Sequence, residues 1–409
     1  LRERGYNPVK QHHVLIVGGG PVGLSMAAGL AHLGIPSTVL EKDPEIVMFP
    51  KASTIHPPTL EIMEEWGLVD KLLEEGLKVH EIQYWDRPTK RMIANFNLDL
   101  LKDETPYPFR LQLEQSVLQV ILEKHFRNSD LVNIKFRHKL IAFKQDDRGV
   151  VARVETPDGV VEMEGDFLIG ADGASSTVRK LIGIQYEGFT YERRFLTLGV
   201  VDHDFRQHYE GLGDVSYFFD PNEFVALIHN HLMWKIMLPL PEHITKTEDL
   251  TDAYIQERIR YFTGVDKTYN VVHKSVFNVH QRVAPRVFEG RVVLVGDSAH
   301  LNNPFGGMGM NSGIHDAYFL GKDIHRLLND PDLSVRKTLE TFQANRHAAI
   351  QEVQRRTIEN EKAAAKKNES QIEKLKRYAA DEKLAKQYLM QNCMIDDFNF
   401  MKSRNQAAG

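Results

Sequence analysis

Three short stretches of this chain combine residue types and spacings that can do chemistry. The first is Gly18-Gly19-Gly20-Pro21-Val22-Gly23, followed at a distance by Glu41. In a G-x-G-x-x-G turn the first glycine permits the tight bend, the second lets a pyrophosphate approach the backbone, and the third lets helix and strand pack closely. The helix that starts there offers unpaired N–H groups and a partial positive charge to phosphates. An acid about twenty residues on can accept hydrogen bonds from a ribose. This is dinucleotide-binding chemistry, and by itself it leaves FAD and NAD both open. The second stretch, Asp166 to Arg179, holds an Asp172-Gly173 turn and Arg179 just beyond it. The third, Arg291 to Asn311, holds Gly296-Asp297 and then Pro304-Phe305-Gly306-Gly307-Met308-Gly309-Met310-Asn311.

Each stretch needs particular elements to position it. Val14-Leu15-Ile16-Val17 is an apolar run suited to a parallel sheet covered on both faces. A helix from about Pro21 would turn Ala27, Ala28 and Leu30 to that sheet, with Gly34 as its C-terminal cap and Pro36 to Leu40 as the next strand. The span from Val14 to Leu40 carries no Asp, Glu, Lys or Arg and follows Arg2, Arg4 and Lys10, as a signal peptide or membrane span could. The glycines and Pro21 in its middle break that reading in favour of strand, turn, helix, strand. Phe167 to Gly170 and Val292 to Val295 read as two more buried strands, and Ser312, Ile314, Ala317 and Leu320 as a helix after the third stretch.

Taken together, the three motifs closely resemble those of the class A flavoprotein monooxygenases, the group of para-hydroxybenzoate hydroxylase and related aromatic-ring hydroxylases. The resemblance spans about residues 12 to 345 and keeps the family's motif order. It implies FAD held by Gly18, Gly20, Gly23 and Glu41, with Asp297 beside Gly296 on a ribitol hydroxyl. Gly307, Met308, Gly309, Met310 and Asn311 match the flavin-contacting segment, where a helix start can stabilise negative charge on a reduced isoalloxazine. Pro304 resembles the proline that faces substrate beside the flavin. Asp172 and Arg179 match the aspartate–glycine motif that serves FAD and the nicotinamide cofactor. Gln115, with Gln112 as second choice, stands where the family often has a glutamine near the ribitol. Lys51 stands where an arginine is common, with a solvated loop charge as the other reading.

Between the second and third motifs the pattern changes to short strands, Val215 to Phe219, Phe224 to Asn230 and Leu232 to Leu238, with turns at Asp220-Pro221-Asn222 and Asn230-His231. This predicts a largely antiparallel substrate domain over one face of the flavin. Tyr217 resembles the family's substrate-facing tyrosine, able to hydrogen-bond a phenolic hydroxyl and help remove its proton; a core tyrosine is the alternative. His229 and Trp234 are further candidates for the pocket. His229 and His231 lack a third metal ligand nearby in sequence, so no metal site is expected. Beyond Arg346 the chain is charged and helix-prone, with Ile372, Leu375, Tyr378 and Ala379 at helical spacing and Ala363-Ala364-Ala365-Lys366-Lys367 before them. That stripe predicts a helix packed on the core, or else a homodimer contact. The tail is shorter than the extra C-terminal domain of some phenol hydroxylases.

Composition limits the remaining choices. The 42% hydrophobic and 26% charged content excludes a collagen-like or disordered chain. A net charge of −5 provides no basic excess to hold a nucleic-acid backbone. With Cys393 as the one cysteine, neither an intramolecular disulfide nor a zinc site with two thiolates can form. The fold class expected is α/β: a Rossmann-type FAD domain (12–80, 108–185 and 271–345) interleaved with a mixed or antiparallel-sheet substrate domain (81–107 and 186–270), then a helical tail (346–409). The resemblance implies a cytoplasmic enzyme in which NADH or NADPH reduces FAD and O2 forms a flavin C4a-hydroperoxide that hydroxylates a phenolic or heteroaromatic small molecule. Two other readings stay open at this point: a flavin reductase or dehydrogenase acting on a quinone or prenyl chain without oxygen transfer, and a flavin-binding sensor or scaffold.

Overall fold

The protein was analysed as a computed structural model, which describes residues 12–220, 223–365 and 369–407. Arg2, Arg4, Lys10, the Pro221-Asn222 turn and Lys366-Lys367 lie outside the described residues.

The first layer is a six-stranded sheet. Its parallel strands are β1 (Val14–Val17), β2 (Ser37–Leu40), β8 (Val132–Lys135), β12 (Phe167–Gly170) and β19 (Val292–Leu294), in the spatial order β19-β12-β1-β2-β8. A short antiparallel strand, β18 (Phe288–Glu289), lies outside β19. Every residue of β1, β2, β12 and β19 is buried, as a sheet covered on both faces requires. The helix α1 (Pro21–His32) crosses from β1 to β2, so the charge-free run is one βαβ unit. Among the described residues no helix is long and apolar enough to cross a membrane.

Other helices pack around this sheet: α2 (Pro57–Glu65), α3 (Val69–Glu75), α4 (Gln115–Phe126), the short α5 (Thr177–Leu181) and the long α7 (Met308–Asn329). A small sheet of β3 (Thr54–Ile55), β4 (Leu77–Val79) and β7 (Arg110–Gln112) lies beside it, and β9 (Lys139–Asp146), β10 (Gly149–Thr156) and β11 (Gly159–Gly165) form an antiparallel meander.

The second layer is an eight-stranded mixed sheet in the order β20-β17-β13-β16-β15-β14-β5-β6. It is built from β5 (Glu81–Asp86), β6 (Arg91–Asn97), β13 (Glu187–Val201), β14 (Val215–Phe219), β15 (Phe224–His229), β16 (Trp234–Pro239), β17 (Asn270–Val283) and β20 (His300–Leu301). Only β14 and β5 pair in parallel. One face packs with α6 (Asp252–Thr263) in a core of Trp85, Phe205, Phe218 and Trp234; the other holds Tyr217, Phe219, Phe224 and Phe305.

Two expected boundaries move. The FAD segment does not resume at 271, because β17 pairs with β13 along the substrate sheet. Its neighbours decide its sheet, and local composition does not report them. Nor does the tail begin at 346. The helix α8 (Val335–Ala365) runs through that point, and α9 (Glu369–Ala380), α10 (Glu382–Asn392) and α11 (Ile395–Ala407) follow. Leu375 of the expected stripe is buried against the substrate sheet, with Tyr378 and Ala379 packed beside it, so the apolar face on which a homodimer contact was expected is used within the chain.

Candidate active site

The three motifs meet because their strands are neighbours pointing the same way. Gly18 follows β1, Glu41 follows β2, Asp172 lies beyond β12, and Gly296-Asp297 lies beyond β19. In an open α/β sheet a ligand binds at this carboxyl edge.

At the first turn, Gly18 has φ +108, and a Cβ there would lie 2.5 Å from the carbonyl oxygen of Ala171. A Cβ on Gly23 would lie 1.9 Å from the carbonyl oxygen of Gly18. A Cβ on Gly20 would meet no protein atom within 4 Å, so this glycine faces an open approach to the helix start. The Glu41 carboxylate accepts from the N–H of Gly19 at 2.6 Å and of Asp43 at 2.8 Å, which places it beside the turn. One contact escaped the sequence reading: Gln119 Nε2, buried one turn along α4, donates to the Gly19 carbonyl at 3.0 Å. Gln115 at the head of α4 reaches Gln119 Oε1 at 3.4 Å. Gln112 instead accepts from Thr54 Oγ1 at 3.1 Å, deep in the small sheet.

Asp172 accepts from Ser176 Oγ at 2.5 Å and from the N–H groups of Thr177 and Val178 at 2.6 and 3.1 Å, so its carboxylate caps α5. Arg179 is buried, donates to the carbonyls of Ser298 and Ala174, and stacks 3.6 Å from the Tyr186 ring centroid. The Tyr186 hydroxyl donates to the Asp297 carbonyl. Arg179 and the Tyr186 ring stacked on it thus tie the second motif to the third.

Asp297 is exposed beyond the end of β19, and desolvation by the surrounding protein raises its carboxyl above the usual range, with His300 and Lys51 partly offsetting the effect. Lys51 is exposed at the cleft rim. Behind Gly296, Asp316 accepts from Arg346 Nε at 2.5 Å, from the Gly296 N–H at 2.8 Å and pairs with His300 Nε2 at 2.7 Å. Burial opposes the Asp316 charge, but Arg346 and His300 outweigh it and hold the carboxyl well below its ordinary value. None of these partners was identified from sequence, because they converge only after α7 and α8 pack.

Gly307, left-handed at φ +68, is the N-cap of α7, and a Cβ there would come within 2.8 Å of Thr54 Cβ. A Cβ on Gly309 would meet nothing within 4 Å. Met308 and Met310 are buried. Asn311 donates to the carbonyls of Thr54 and Gly307 and accepts from the His56 N–H, anchoring the loop. His56 Nε2 lies 2.9 Å from the Gly306 carbonyl, which can only accept, so the proton sits on Nε2. Burial, and Arg110 after it, hold this imidazole well below its usual pKa and therefore neutral. An open approach at Gly20 and Gly309, a helix start at each, and carboxylates at Glu41 and Asp297 suit an extended dinucleotide such as FAD.

Next to the Gly306 backbone lies a narrow, open-mouthed cavity. Tyr84, Tyr217, Phe219 and Phe224 line it from the substrate sheet and Phe305 from the loop. Tyr217 stacks between Tyr84 at 5.3 Å and Phe224 at 5.7 Å. Arg110 reaches it from β7, and Gln371, Tyr388 and Asn392 from α9 and α10. The Tyr84 and Tyr388 hydroxyls are 2.6 Å apart. Pro304 is exposed, and the two residues after it make the wall instead. His229 and Trp234 do not line the cavity. They stack on each other at 4.3 Å on the α6 side of the sheet, where His229 Nδ1 pairs with Asp214 at 2.7 Å. Strand alternation is the reason: Phe224 and Ala226 face the cavity core, so His229 falls on the opposite face of β15.

A family model described as FAD binding domain matches residues 11–357. The chain is 30% identical over 348 residues to para-nitrophenol 4-monooxygenase of Pseudomonas sp. (strain WBC-3), covering 83% of each chain. It is 30% identical over 341 residues to 6-hydroxy-3-succinoylpyridine 3-monooxygenase of Pseudomonas putida (strain DSM 28022 / S16), covering 82% of this chain and 84% of that one. The crystal structure of p-nitrophenol 4-monooxygenase from Pseudomonas putida DLL-E4 superposes with a TM-score of 0.87 at 26% identity, over 95% of this chain and 99% of that chain.

Proposed function

Since the chain belongs to the FAD binding domain family and is an FAD-dependent aromatic monooxygenase of class A, we propose that it hydroxylates a small ring compound bearing a hydroxyl group in the Tyr217 cavity. The observation that carries this reading is the continuity of that cavity with the Gly306 backbone, at the loop that leads into the flavin-contacting helix start. Para-nitrophenol and 6-hydroxy-3-succinoylpyridine, the compounds in the relatives' names, both carry a ring hydroxyl. When bound, FAD would carry two electrons from NAD(P)H to O2, so that one oxygen atom of O2 enters a ring C–H bond as a hydroxyl group and the other leaves as water. The reductase and sensor readings lose their support beside these relatives.

The chain's own residues have three tasks. Gly18, Gly20, Gly23 and Glu41 would hold the nucleotide end of FAD, Asp297 and Gln115 the ribitol, and the 307–311 helix start the ring. The aromatic walls exclude water from the reacting ring. Tyr217 orients the substrate hydroxyl and helps withdraw its proton, which raises the ring's nucleophilicity. The need for NAD(P)H supports a cytoplasmic location for the enzyme.

The test is substrate-stimulated NAD(P)H oxidation with labelled O2, the label being expected in the product. Tyr217→Phe should retain FAD and lower hydroxylation by about 10²-fold or more. Equal turnover in that variant at every pH would take Tyr217 out of the reaction. Reduction of a substrate without label in the product would return the reductase reading.

A further inference from the structure

The cavity contains one full charge, and among the described residues no acidic side chain on its lining answers it. Arg110 is only 2% exposed. Its Nη2 donates to the Asn392 carbonyl at 2.7 Å, while its Nε is buried with no partner. Among the described residues it forms no ion pair, and no acidic side chain lines the cavity. The groups that face it are the Cys393 thiol and the hydroxyls of Tyr217 and Tyr84. Burial pushes the Cys393 thiol up further than Arg110 lowers it, and burial likewise raises the Tyr84 hydroxyl well above its ordinary value. The Cys393 thiol and the Tyr84 hydroxyl are thereby held in their neutral forms, and the guanidinium is charged at any working pH. A buried charge without a counter-ion is costly, and a planar fork is suited to a carboxylate-like or phenolate oxygen.

We infer that Arg110, positioned by the Asn392 carbonyl and Cys393 at the end of α10, is the specificity residue of this cavity and binds an ionised oxygen on the aromatic substrate. This rests on the aromatic-hydroxylase reading and adds a selection for anions that the reading does not require. The C-terminal helices acquire a role with it, because they hold the fork that reads the charge. The anionic oxygen is either the ionised ring hydroxyl or a ring carboxylate, and the two sources separate by experiment.

The measurement is equilibrium binding to the FAD-loaded enzyme, followed by flavin absorbance without NAD(P)H. One arm compares 4-hydroxybenzoate with 4-hydroxybenzamide and reads the carboxylate. The other compares 4-nitrophenol with 4-nitroanisole as pH crosses the phenol's ionisation and reads the phenolate. In at least one arm the anion should bind about ten-fold tighter than its neutral partner. Arg110→Met should erase that ratio by weakening the anion far more than the neutral partner, an outcome that a merely structural role would not produce. Arg110→Lys keeps the charge without the fork, so it should show an intermediate ratio; it also decides the matter if the Met variant does not fold. Absence of anion preference in both arms of the unmodified enzyme, or a preference that survives in a folded Arg110 variant, overturns the inference. Because no turnover is needed, a failed hydroxylation assay would leave this result standing on its own.

Discussion

Single residues in the phosphate cradle separate two roles that the motif lists together. Gly23 is a packing glycine: its missing Cβ would overlap a backbone oxygen at 1.9 Å. Gly20 is a ligand glycine: its Cβ would enter open space. Gly23→Ala should therefore cost about 3 kcal/mol or more in stability. Gly20→Ala should leave the melting temperature of the FAD-free protein unchanged and weaken FAD retention. Thermal melts beside the flavin-to-protein absorbance ratio check both, and a cold-stable Gly23→Ala protein with normal flavin content would refute the assignment. Asp172 and Arg179 show the limit of a motif at this scale. Their types were legible, but their partners, the α5 N-terminus and the Ser298 and Ala174 carbonyls, belong to the packed structure.

Between elements, the flavin layer and the substrate sheet are joined by an ion pair invisible in sequence. Lys235 on β16 meets Glu114, the N-cap of α4, at 2.6 Å, with both side chains buried. Lys235 also donates to the Lys51 carbonyl, and Asn230 donates to Glu114. Burial lowers the Lys235 pKa, and Glu114 counteracts it. Glu114→Ala leaves a buried ammonium and should destabilise the fold by about 3–5 kcal/mol, readable by denaturant titration. Adding Lys235→Met should recover much of that loss. A single variant with unchanged stability would show the pair to be of no consequence. Alternation along β15 and β16 also explains why His229 and Trp234 miss the cavity. Lys235 and Met237 take one face of β16 and Trp234 and Ile236 the other, so one residue of shift decides between cavity and core.

Across the whole molecule the C-terminal helices act as a strap. Leu375, Ala385, Leu389 and Cys393 are part of the core beneath the cavity, while Phe398 and Met401 are part of the flavin-domain core. Phe398 packs against the rings of His315, Tyr318 and Phe319 at 5.0 to 5.7 Å. Phe398→Ala should cost about 3–5 kcal/mol and, because the strap crosses both layers, should lower FAD retention and substrate binding together. Loss of one without the other would mean that the two layers respond independently.

The sequence by itself determined the nucleotide cradle and the buried strands that carry it. Glycine turns, buried apolar runs and an acid at a fixed distance are local features with local causes, and residues 18, 20, 23, 41 and 297 all reached one sheet edge. Tyr217 was legible as a cavity residue through a family likeness. Only the tertiary structure decided that β17 belongs to the substrate sheet, that His229 and Trp234 face away from the cavity, and that Arg110 lies at the end of α10 with no acidic partner among the described residues. Burial and charge pairing depend on which distant segments meet: Arg110 and Asn392 are 282 positions apart in the chain. No short window carries that information, because a side chain's partner is set by packing and not by its neighbours in sequence.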